Sequence, residues 1–258
     1  MVDIHCHILP GIDDGSRTLE ESIELILSAK KLGYKKLCCT SHYKVGIYEN
    51  KNYDNVLKNL RNELKERDIK IKLLEGNELF LDLDILKKIK EKKVKTLNKS
   101  DYLLVEPIPG MTSMALKKYL ERIIEMGYRV VLAHVERYSF IDKKFLWELK
   151  KMNVVTQVNI RSLKYKKEIY NWIDLNLIDI LSSDAHNKKY RNYDLEEIII
   201  EIENKFGVET KKRLLRDNPQ KIIENKDIKG GVDEKKIYDT GINNDNFIQR
   251  FFKRIKSR

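Results

Sequence analysis

The sequence contains few cysteines. Its three cysteines are Cys6, Cys38 and Cys39, an odd number with no C-x-x-C spacing. This pattern argues against a disulfide framework and against a zinc site of the C-x-x-C kind. Reduced thiols are typical of the cytoplasm, which is therefore the expected location.

Two kinds of apolar segment are also missing. No apolar run approaches the roughly 20 residues that a membrane-spanning helix needs. The amino terminus, Met1 to His5, has no cationic segment followed by an apolar stretch, so it does not resemble a secretory signal. Both absences favour a soluble, cytoplasmic protein.

The charge of the chain is unbalanced. Lysine and arginine number 51 against 40 acidic residues, a formal net charge of +11 over 258 residues. Such an excess is compatible with a nucleic-acid partner, an anionic substrate or an anionic membrane surface. A lysine-rich solvated surface is the simpler interpretation.

Short apolar runs rich in β-branched residues alternate with segments of helical periodicity, which predicts an α/β fold with parallel strands. Seven strands suit a closed or nearly closed barrel. The predicted strands are Val2–His5, Lys36–Ser41, Ile71–Glu78, Tyr102–Glu106, Arg129–His134, Val154–Ile160 and Ile178–Ser183.

Four helices are predicted between or after these strands. The first begins at a sequence resembling a capping box, Thr18 to Glu21, and ends at Gly33. The others are Tyr53–Arg67, Ser113–Met126 and Leu195–Phe206.

The predicted domain covers residues 1–226. From about residue 227 the composition shifts to Gly, Asp, Asn and Lys, which predicts a basic tail over residues 227–258. A helix near the end of the tail would carry an apolar face suited to peripheral contact with an anionic membrane, with disorder or docking on the protein as alternatives. That face comprises Phe247, Ile248, Phe251 and Ile255.

Polar residues occur at the carboxyl ends of six predicted strands. Barrel enzymes build their sites at this rim, with residues from several strands. All five histidines of the chain belong to this set, which comprises His5, His7, His42, Glu78, Glu106, His134, Asp184 and His186.

These residue types suit divalent metal ions. His5 and His7 are two residues apart, so in an extended strand both rings point to one face and can bind one ion. Glu78 and Glu106 supply anionic charge, and a carboxylate can bridge ions about 3.5–4 Å apart. A single H-x-H would more often be a packing feature, but the whole set predicts a binuclear or trinuclear centre of manganese, iron or zinc.

Two arginines lie close to these residues in sequence. Arg137 is three residues after His134, and Arg191 is five residues after His186. Guanidinium groups fit phosphate oxygens, so arginines beside a metal cluster indicate a phosphate ester as substrate.

Five motifs resemble the polymerase-and-histidinol-phosphatase (PHP) superfamily, and within it the bacterial tyrosine-protein phosphatases of capsular and exopolysaccharide loci, the CpsB/YwqE type. The resemblance runs from residue 2 to about 225, and its first motif is the most specific. The motifs are His5–Gly15, Thr40–His42, Gly76–Glu78, His134–Tyr138 and Ser183–His186.

The resemblance implies a distorted (β/α)7 barrel with a trinuclear, usually manganese, centre at the carboxyl ends of the strands. Arg137 and Arg191 would bind the phosphate, and His42 and His186 would be the other two catalytic residues. The implied ligands are His5, His7, Glu78 and Asp184 for one ion, Glu78, Glu106 and His134 for a second, and Asp14, His42 and His186 for a third.

The implied reaction is hydrolysis of phosphotyrosine by a metal-activated hydroxide, without a covalent phosphoenzyme. The implied substrate is the Tyr-rich tail of a membrane-associated bacterial tyrosine kinase, which would place the protein at the inner face of the membrane. Independently, no cysteine is followed six positions later by arginine, so the C-x5-R loop of thiol phosphatases is missing.

Two departures from the family pattern leave substrate preference open. Val135 follows the histidine of strand five where a proline is expected, and Pro107–Gly110 replaces an aromatic-containing loop. One alternative is a small-molecule phosphoesterase acting on histidinol phosphate or a nucleotide. The other is a non-catalytic binding protein in which the metal ions only stabilise the fold. A nucleic-acid partner is not expected because no binding module is present, and an oligomer is compatible with the sequence.

Overall fold

A parallel sheet forms the centre of the computed structural model, which describes residues 1–228 together with residues 231, 232 and 237. Seven strands occur in these residues, and each pairs in parallel with the next along the chain. The strands are β1 (Val2–Cys6), β2 (Lys36–Tyr43), β3 (Lys72–Phe80), β4 (Tyr102–Glu106), β5 (Arg129–Leu132), β6 (Val155–Asn159) and β7 (Ile180–Ser182). The seven predicted strands are confirmed, with ends that shift by two residues at most.

The sheet curves until its two outer strands meet. Cys6 forms an isolated parallel bridge with Ala185. The His7 amide donates to the Ala185 carbonyl at 2.8 Å, and the Asp184 amide donates to the His5 carbonyl at 2.9 Å. The barrel is therefore nearly closed, and these bonds lie at the carboxyl ends of β1 and β7.

Eight α-helices occur in the described residues, and they follow the alternating order that a (β/α) barrel requires. The predictions for α1, α2 and α4 are confirmed within one or two residues. The helices are α1 (Leu19–Lys31), α2 (Tyr53–Glu66), α3 (Ile85–Lys90), α4 (Ser113–Glu125), α5 (Lys143–Lys151), α6 (Glu168–Asp174), α7 (Glu196–Lys212) and α8 (Asn218–Ile223).

One helix terminus differs from its prediction, and another prediction coincides with a break in a helix. The Thr18 hydroxyl accepts the Glu21 amide at 3.2 Å, but the Glu21 carboxylate accepts the Arg17 amide rather than that of Thr18, so only half of a capping box forms. The predicted end at Phe206 coincides with a break in α7, because Gly207, with a φ of 82° and a ψ of 164°, is not helical; a second helical stretch then continues to Lys212.

A small apolar cluster receives at least one side chain from each of the seven strands, so it occupies the barrel interior. Ile222 and Ile223 of α8 join it. A larger cluster packs the outer face of the strands against the helices. The interior members from the strands are Val2, Ile4, Cys38, Leu74, Tyr102, Leu104, Val131, Val155 and Ile180.

The predicted boundary at residue 226 stays a prediction. Asp227 accepts a hydrogen bond from Arg129 at 2.8 Å, and the Ile237 side chain is buried. The predicted apolar face of the tail, Phe247, Ile248, Phe251 and Ile255, lies outside the described residues. None of the helices in the described residues is long and apolar enough to span a membrane.

Candidate metal centre

All nine residues predicted as metal ligands converge at one end of the barrel. His5, His42, Glu78 and Glu106 belong to strands, and the others lie in the segments that follow strands. Asp14 comes from the segment before α1 and has a side chain that is 54% exposed, whereas the other eight are largely buried. The cluster is therefore a buried polar site with one open side.

Glu78 lies at the middle of the cluster. Its Oε2 atom is 3.1 Å from the Nε2 atoms of both His5 and His7, and 3.2 Å from His42 Nδ1. Its Oε1 atom is 2.8 Å from His134 Nε2. One carboxylate thus contacts four imidazoles from three other strand ends.

Four overlapping groups in the described residues could each hold a metal ion, because their ligand atoms all lie within 4.8 Å of one another. Since residues are shared between groups, ions bound there would be close neighbours. The groups are His5, His7 and Asp184; His5, Glu78 and His134; His42, Glu78 and Glu106; and His7, Asp14, His42 and His186.

Several buried atoms here lack hydrogen-bond partners within the described residues, namely His42 Nδ1, Glu106 Oε1 and His186 Nε2. The first two are 3.1 Å apart without hydrogen-bond geometry. The Nε2 atoms of His5 and His7 also face each other at 3.2 Å. Buried polar atoms are normally paired. Imidazole nitrogens and carboxylate oxygens at this spacing can bind the same cation. The residues present therefore suit divalent metal ions.

The acids of the cluster are held in their charged forms. Burial would raise the pKa of Glu78, but the neighbouring histidines, His5 foremost, hold it well below its usual value. Burial would likewise raise the pKa of Asp184, but His5, Arg191 and Arg137 hold it well below the usual value. Ionised carboxylates at such depth need cations beside them.

Two imidazoles of the cluster have raised pKa values and can supply this positive charge. Burial would lower the pKa of His42, but Asp14, Glu106 and Glu78 raise it to about 11. Burial would also lower the pKa of His134, but Glu106 and Glu78 raise it to about 9. Metal ions would displace these protons, because a ligating imidazole must be neutral.

Three further residues contact candidate ligands, and the sequence reasoning missed them. Asp13 Oδ2 lies 2.7 Å from His7 Nδ1. Gln157 Oε1 lies 3.1 Å from His5 Nδ1, and Asn159 Nδ2 donates to Asp184 Oδ2 at 2.7 Å. By occupying Nδ1, Asp13 and Gln157 leave Nε2 of each ring directed at the centre. Two amide side chains at alternate positions of β6, a strand whose residues are all buried, were the available signal.

The backbone is unusual where it presents two ligands. His134 has a φ of 32° and Asp184 a φ of 53°, a region that side-chain-bearing residues rarely adopt. In addition, the pairing of β1 with β2 shifts register between Asp3 and Cys6, around His5. Such irregularities re-aim side chains and concentrate at functional sites.

Gly15 supports the loop that carries Asp13 and Asp14. A Cβ atom at Gly15 would lie 2.6 Å from His7 Cβ and closer still to the His7 carbonyl oxygen. We expect Gly15→Ala to displace His7 and to weaken metal affinity by about 10- to 100-fold, as loss of ligand support does elsewhere. Calorimetric titration with manganese would measure the change.

Gly11→Ala provides the control for this prediction, because it lies in the same loop. Gly11 has a φ of 68°, but a Cβ atom at this position would have no neighbour within 4 Å among the described residues. Alanine there costs about 1–2 kcal/mol of backbone strain without displacing a ligand. Equal metal affinity in Gly15→Ala and the parent protein would contradict the role of Gly15.

Both predicted arginines contact Asp184. Arg137 Nη2 donates to Oδ2 at 2.6 Å, and Arg191 Nη2 donates to Oδ1 at 2.5 Å. The two guanidinium groups are partly exposed. The arrangement places two cations at the edge of the candidate metal centre.

A cleft of about 450 Å³ opens beside the centre. Its floor includes Glu106, His134 and Arg137, and its walls are largely apolar. We call it the aromatic cleft; its walls are Phe80, Pro107–Met111, Tyr138 and Phe140. The loop Pro107–Gly110, which differs from the family pattern, therefore borders this cleft.

Comparisons with known proteins agree with this geometry. The family model for capsular polysaccharide synthesis, CpsB/CapC, matches residues 1–224. The tyrosine-protein phosphatase CpsB of Streptococcus agalactiae serotype V is 31% identical over 87% of this chain and 99% of its own length. The tyrosine-protein phosphatase YwqE of Bacillus subtilis is 29% identical over 88% of this chain and 93% of its own length.

Solved structures support the same assignment. The chain matches a structure from a study of YwqE from Bacillus subtilis and CpsB from Streptococcus pneumoniae, described as unique metal-dependent tyrosine phosphatases. The TM-score is 0.81, with 28% identity over 89% of this chain and 96% of the other. A lactonase from Listeria monocytogenes, at 15% identity and a TM-score of 0.57, shares the fold alone. From the family match and these relatives, we conclude that the chain belongs to the CpsB/CapC family of capsular polysaccharide synthesis.

Proposed function

We propose that this protein is a metal-dependent phosphatase that hydrolyses phosphotyrosine in proteins. The observation that carries the proposal is a set of overlapping ligand groups with two arginines fixed at its edge. Metal ions and guanidinium groups are the two devices that most often stabilise charge in phosphoryl transfer. Each arginine pairs with Asp184 through Nη2 and keeps further donors for an anion, which a purely structural metal site would not require.

We assign three ions, with manganese as the first choice and iron or zinc also compatible with these ligands. Bound divalent ions would lower the pKa of coordinated water toward about 7 and offset phosphate charge. The assignment is His5, His7, Glu78 and Asp184 for the first ion, Glu78, Glu106 and His134 for the second, and Asp14, His42 and His186 for the third.

The arginines would orient the phosphate. Each contacts Asp184 through Nη2 alone, so Nε and Nη1 have no acceptor among the described residues. These groups can donate to two or more phosphate oxygens. His42 and His186, with the half-exposed Asp14, lie on the open side and would complete the catalytic set.

The aromatic cleft supports an aryl phosphate as substrate. It borders Arg137, Glu106 and His134, so a phosphate beside Arg137 would direct its ester group into the cleft. The rings of Tyr138 and Phe140 stack at 5.9 Å with an interplanar angle of 30° and offer an apolar face to a phenol ring. A serine ester would leave this space unfilled.

A cysteine nucleophile does not fit this protein. Cys6, Cys38 and Cys39 are all buried. Burial raises the pKa of Cys6 and Cys38 well above the usual value, and it raises the pKa of Cys39 to about 12. None of these thiols would ionise near neutral pH, and the thiolate is the reactive form.

The capsular family supports a protein substrate in that system. We propose the Tyr-rich tail of a membrane-associated bacterial tyrosine kinase, met at the inner face of the membrane. A membrane contact through residues 227–258 stays a prediction.

The proposal is tested by removing metal with a chelator and restoring manganese. We expect phosphotyrosine peptide hydrolysis to disappear on chelation and to return on reconstitution, with far lower rates on a phosphoserine peptide and on histidinol phosphate. Faster turnover of histidinol phosphate would assign a small-molecule phosphoesterase. Bound manganese without turnover of any ester would assign a non-catalytic binding protein.

A further inference from the structure

A second, polar pocket lies on the other side of Arg137 from the aromatic cleft. Its volume is about 170 Å³. It opens between the turn Ile160–Lys164 after β6 and the segment after β7. We call it the arginine pocket; its lining includes Arg137, Arg161, Arg191, Asn159, Ser162 and Tyr165.

Positive charge in the arginine pocket exceeds negative charge. Three guanidinium groups line it, and Asp184 is the only acidic residue in the lining. Both oxygens of Asp184 already accept hydrogen bonds, from Arg137 and from Arg191. The charge of Arg161 is therefore uncompensated within the pocket.

Arg161 is held in place by neutral acceptors. Its Nη2 atom donates to the Asn192 carbonyl at 3.1 Å and to Asn192 Oδ1 at 2.5 Å. Its Nε and Nη1 atoms have no acceptor in the part of the chain that the structure describes. A guanidinium group fixed in this way loses little side-chain entropy when it binds an anion.

We propose that the arginine pocket binds a second acidic group of the substrate, a carboxylate or phosphate on a residue near the phosphotyrosine, and that Arg161 selects for it. This inference rests on the proposed phosphatase function. Arg137 borders both the aromatic cleft and the arginine pocket, so a phosphate held by Arg137 lies between them. A peptide whose aryl ring occupies the cleft would then pass the pocket with a neighbouring residue.

The position of Arg161 favours a second group over the transferred phosphate. It is anchored to Asn192 and not to Asp184, unlike Arg137 and Arg191. Tyr165, which shares this side of the pocket, is 78% exposed. The pocket is thus open to solvent at the side where a substrate chain would continue.

The test compares kcat/KM for manganese-loaded enzyme on three phosphotyrosine peptides, with neutral neighbours, with glutamate neighbours, and with a second phosphotyrosine. We expect the parent enzyme to prefer the two acidic peptides by about tenfold, mainly through KM. Arg161→Gln should bring both ratios close to one. Tyr165→Glu, which places a carboxylate at the exposed rim, should do the same without removing the Asn192 contact.

Lys164→Gln is the matched control, because Lys164 is a cation of the same turn that pairs with Glu197 at 3.4 Å and does not line the pocket. It should keep the acidic preference. Affinities for phosphonate analogues of the neutral and glutamate peptides, measured by calorimetry, should show the same ratios without turnover.

Three outcomes would overturn the inference. If the parent enzyme shows no preference for acidic peptides, the inference has no basis. If the ratio of kcat/KM between acidic and neutral peptides is unchanged in both Arg161→Gln and Tyr165→Glu, the preference arises outside the arginine pocket. Equal slowing of all peptides by Arg161→Gln would make Arg161 part of the transferred phosphate's site. Failure of the parent enzyme on every phosphotyrosine peptide would instead reject the proposed function.

Discussion

Glu78→Gln is expected to reduce kcat/KM on a phosphotyrosine peptide by at least about 10³-fold and to lower the bound metal content. The Glu78 carboxylate contacts four imidazoles at 2.8–3.2 Å. Glutamine has nearly the same shape but no charge, and its amide nitrogen cannot ligate a cation as an oxygen does. Metal analysis of the purified protein and steady-state kinetics would measure both effects.

Glu75→Gln is the matched control, because it makes the same change three residues earlier on β3. Glu75 is half-buried and lies outside every candidate ligand group. It should leave metal content and kcat/KM close to those of the parent enzyme. Normal metal content and activity in Glu78→Gln would contradict the central position assigned to Glu78.

Arg137→Ala is expected to reduce kcat/KM by about 10²–10³-fold, the usual cost of removing one donor that stabilises transition-state charge. The expected metal content is unchanged, since Arg137 contacts Asp184 only through Oδ2. Arg137→Lys should restore little, because a lysine lacks the planar, two-pronged donor set that fits phosphate oxygens.

Arg122→Ala provides the comparison for this change, since Arg122 is an exposed arginine of α4 that pairs with Glu125. It should leave kinetics unaltered. Loss of metal in Arg137→Ala would show that Arg137 acts by orienting Asp184. Unchanged kcat/KM in that variant would remove it from the phosphate site.

The barrel was predictable because two periodicities alternate along the chain. Strands such as β4 contain short, continuous apolar runs, here Tyr102 to Val105, as expected for strands covered on both faces. The convergence of the candidate ligands was predictable for a related reason. Parallel strands end at the same rim, so polar residues at several strand ends must lie near one another.

Four helices were missed, and all of them are short: α5 has nine residues, and the other three are shorter still. Helices α3, α6 and α8 have six or seven residues, about two turns, and so carry too few apolar positions for a period to be recognised. Their stability comes from packing against the barrel rather than from local sequence preference.

The residues that support the ligands were missed for a different reason. Asp13 adjoins Asp14 in sequence, and only the folded loop decides that Asp13 contacts His7 whereas Asp14 faces His42. The proposed role of Arg161 likewise depends on its contact with Asn192, which is 31 residues away along the chain. Such partners follow from loop conformation, which periodicity does not encode.

The meeting of β1 and β7 also couples ion binding to folding. His5 and Asp184 are far apart along the chain, and they become neighbours only when the first and last strands pair. Contacts of such long range form slowly, because a large loop must close before they contribute. Ions that bind this site therefore favour the fully closed chain over partly folded forms, by about 1.4 kcal/mol for each tenfold excess over their dissociation constant.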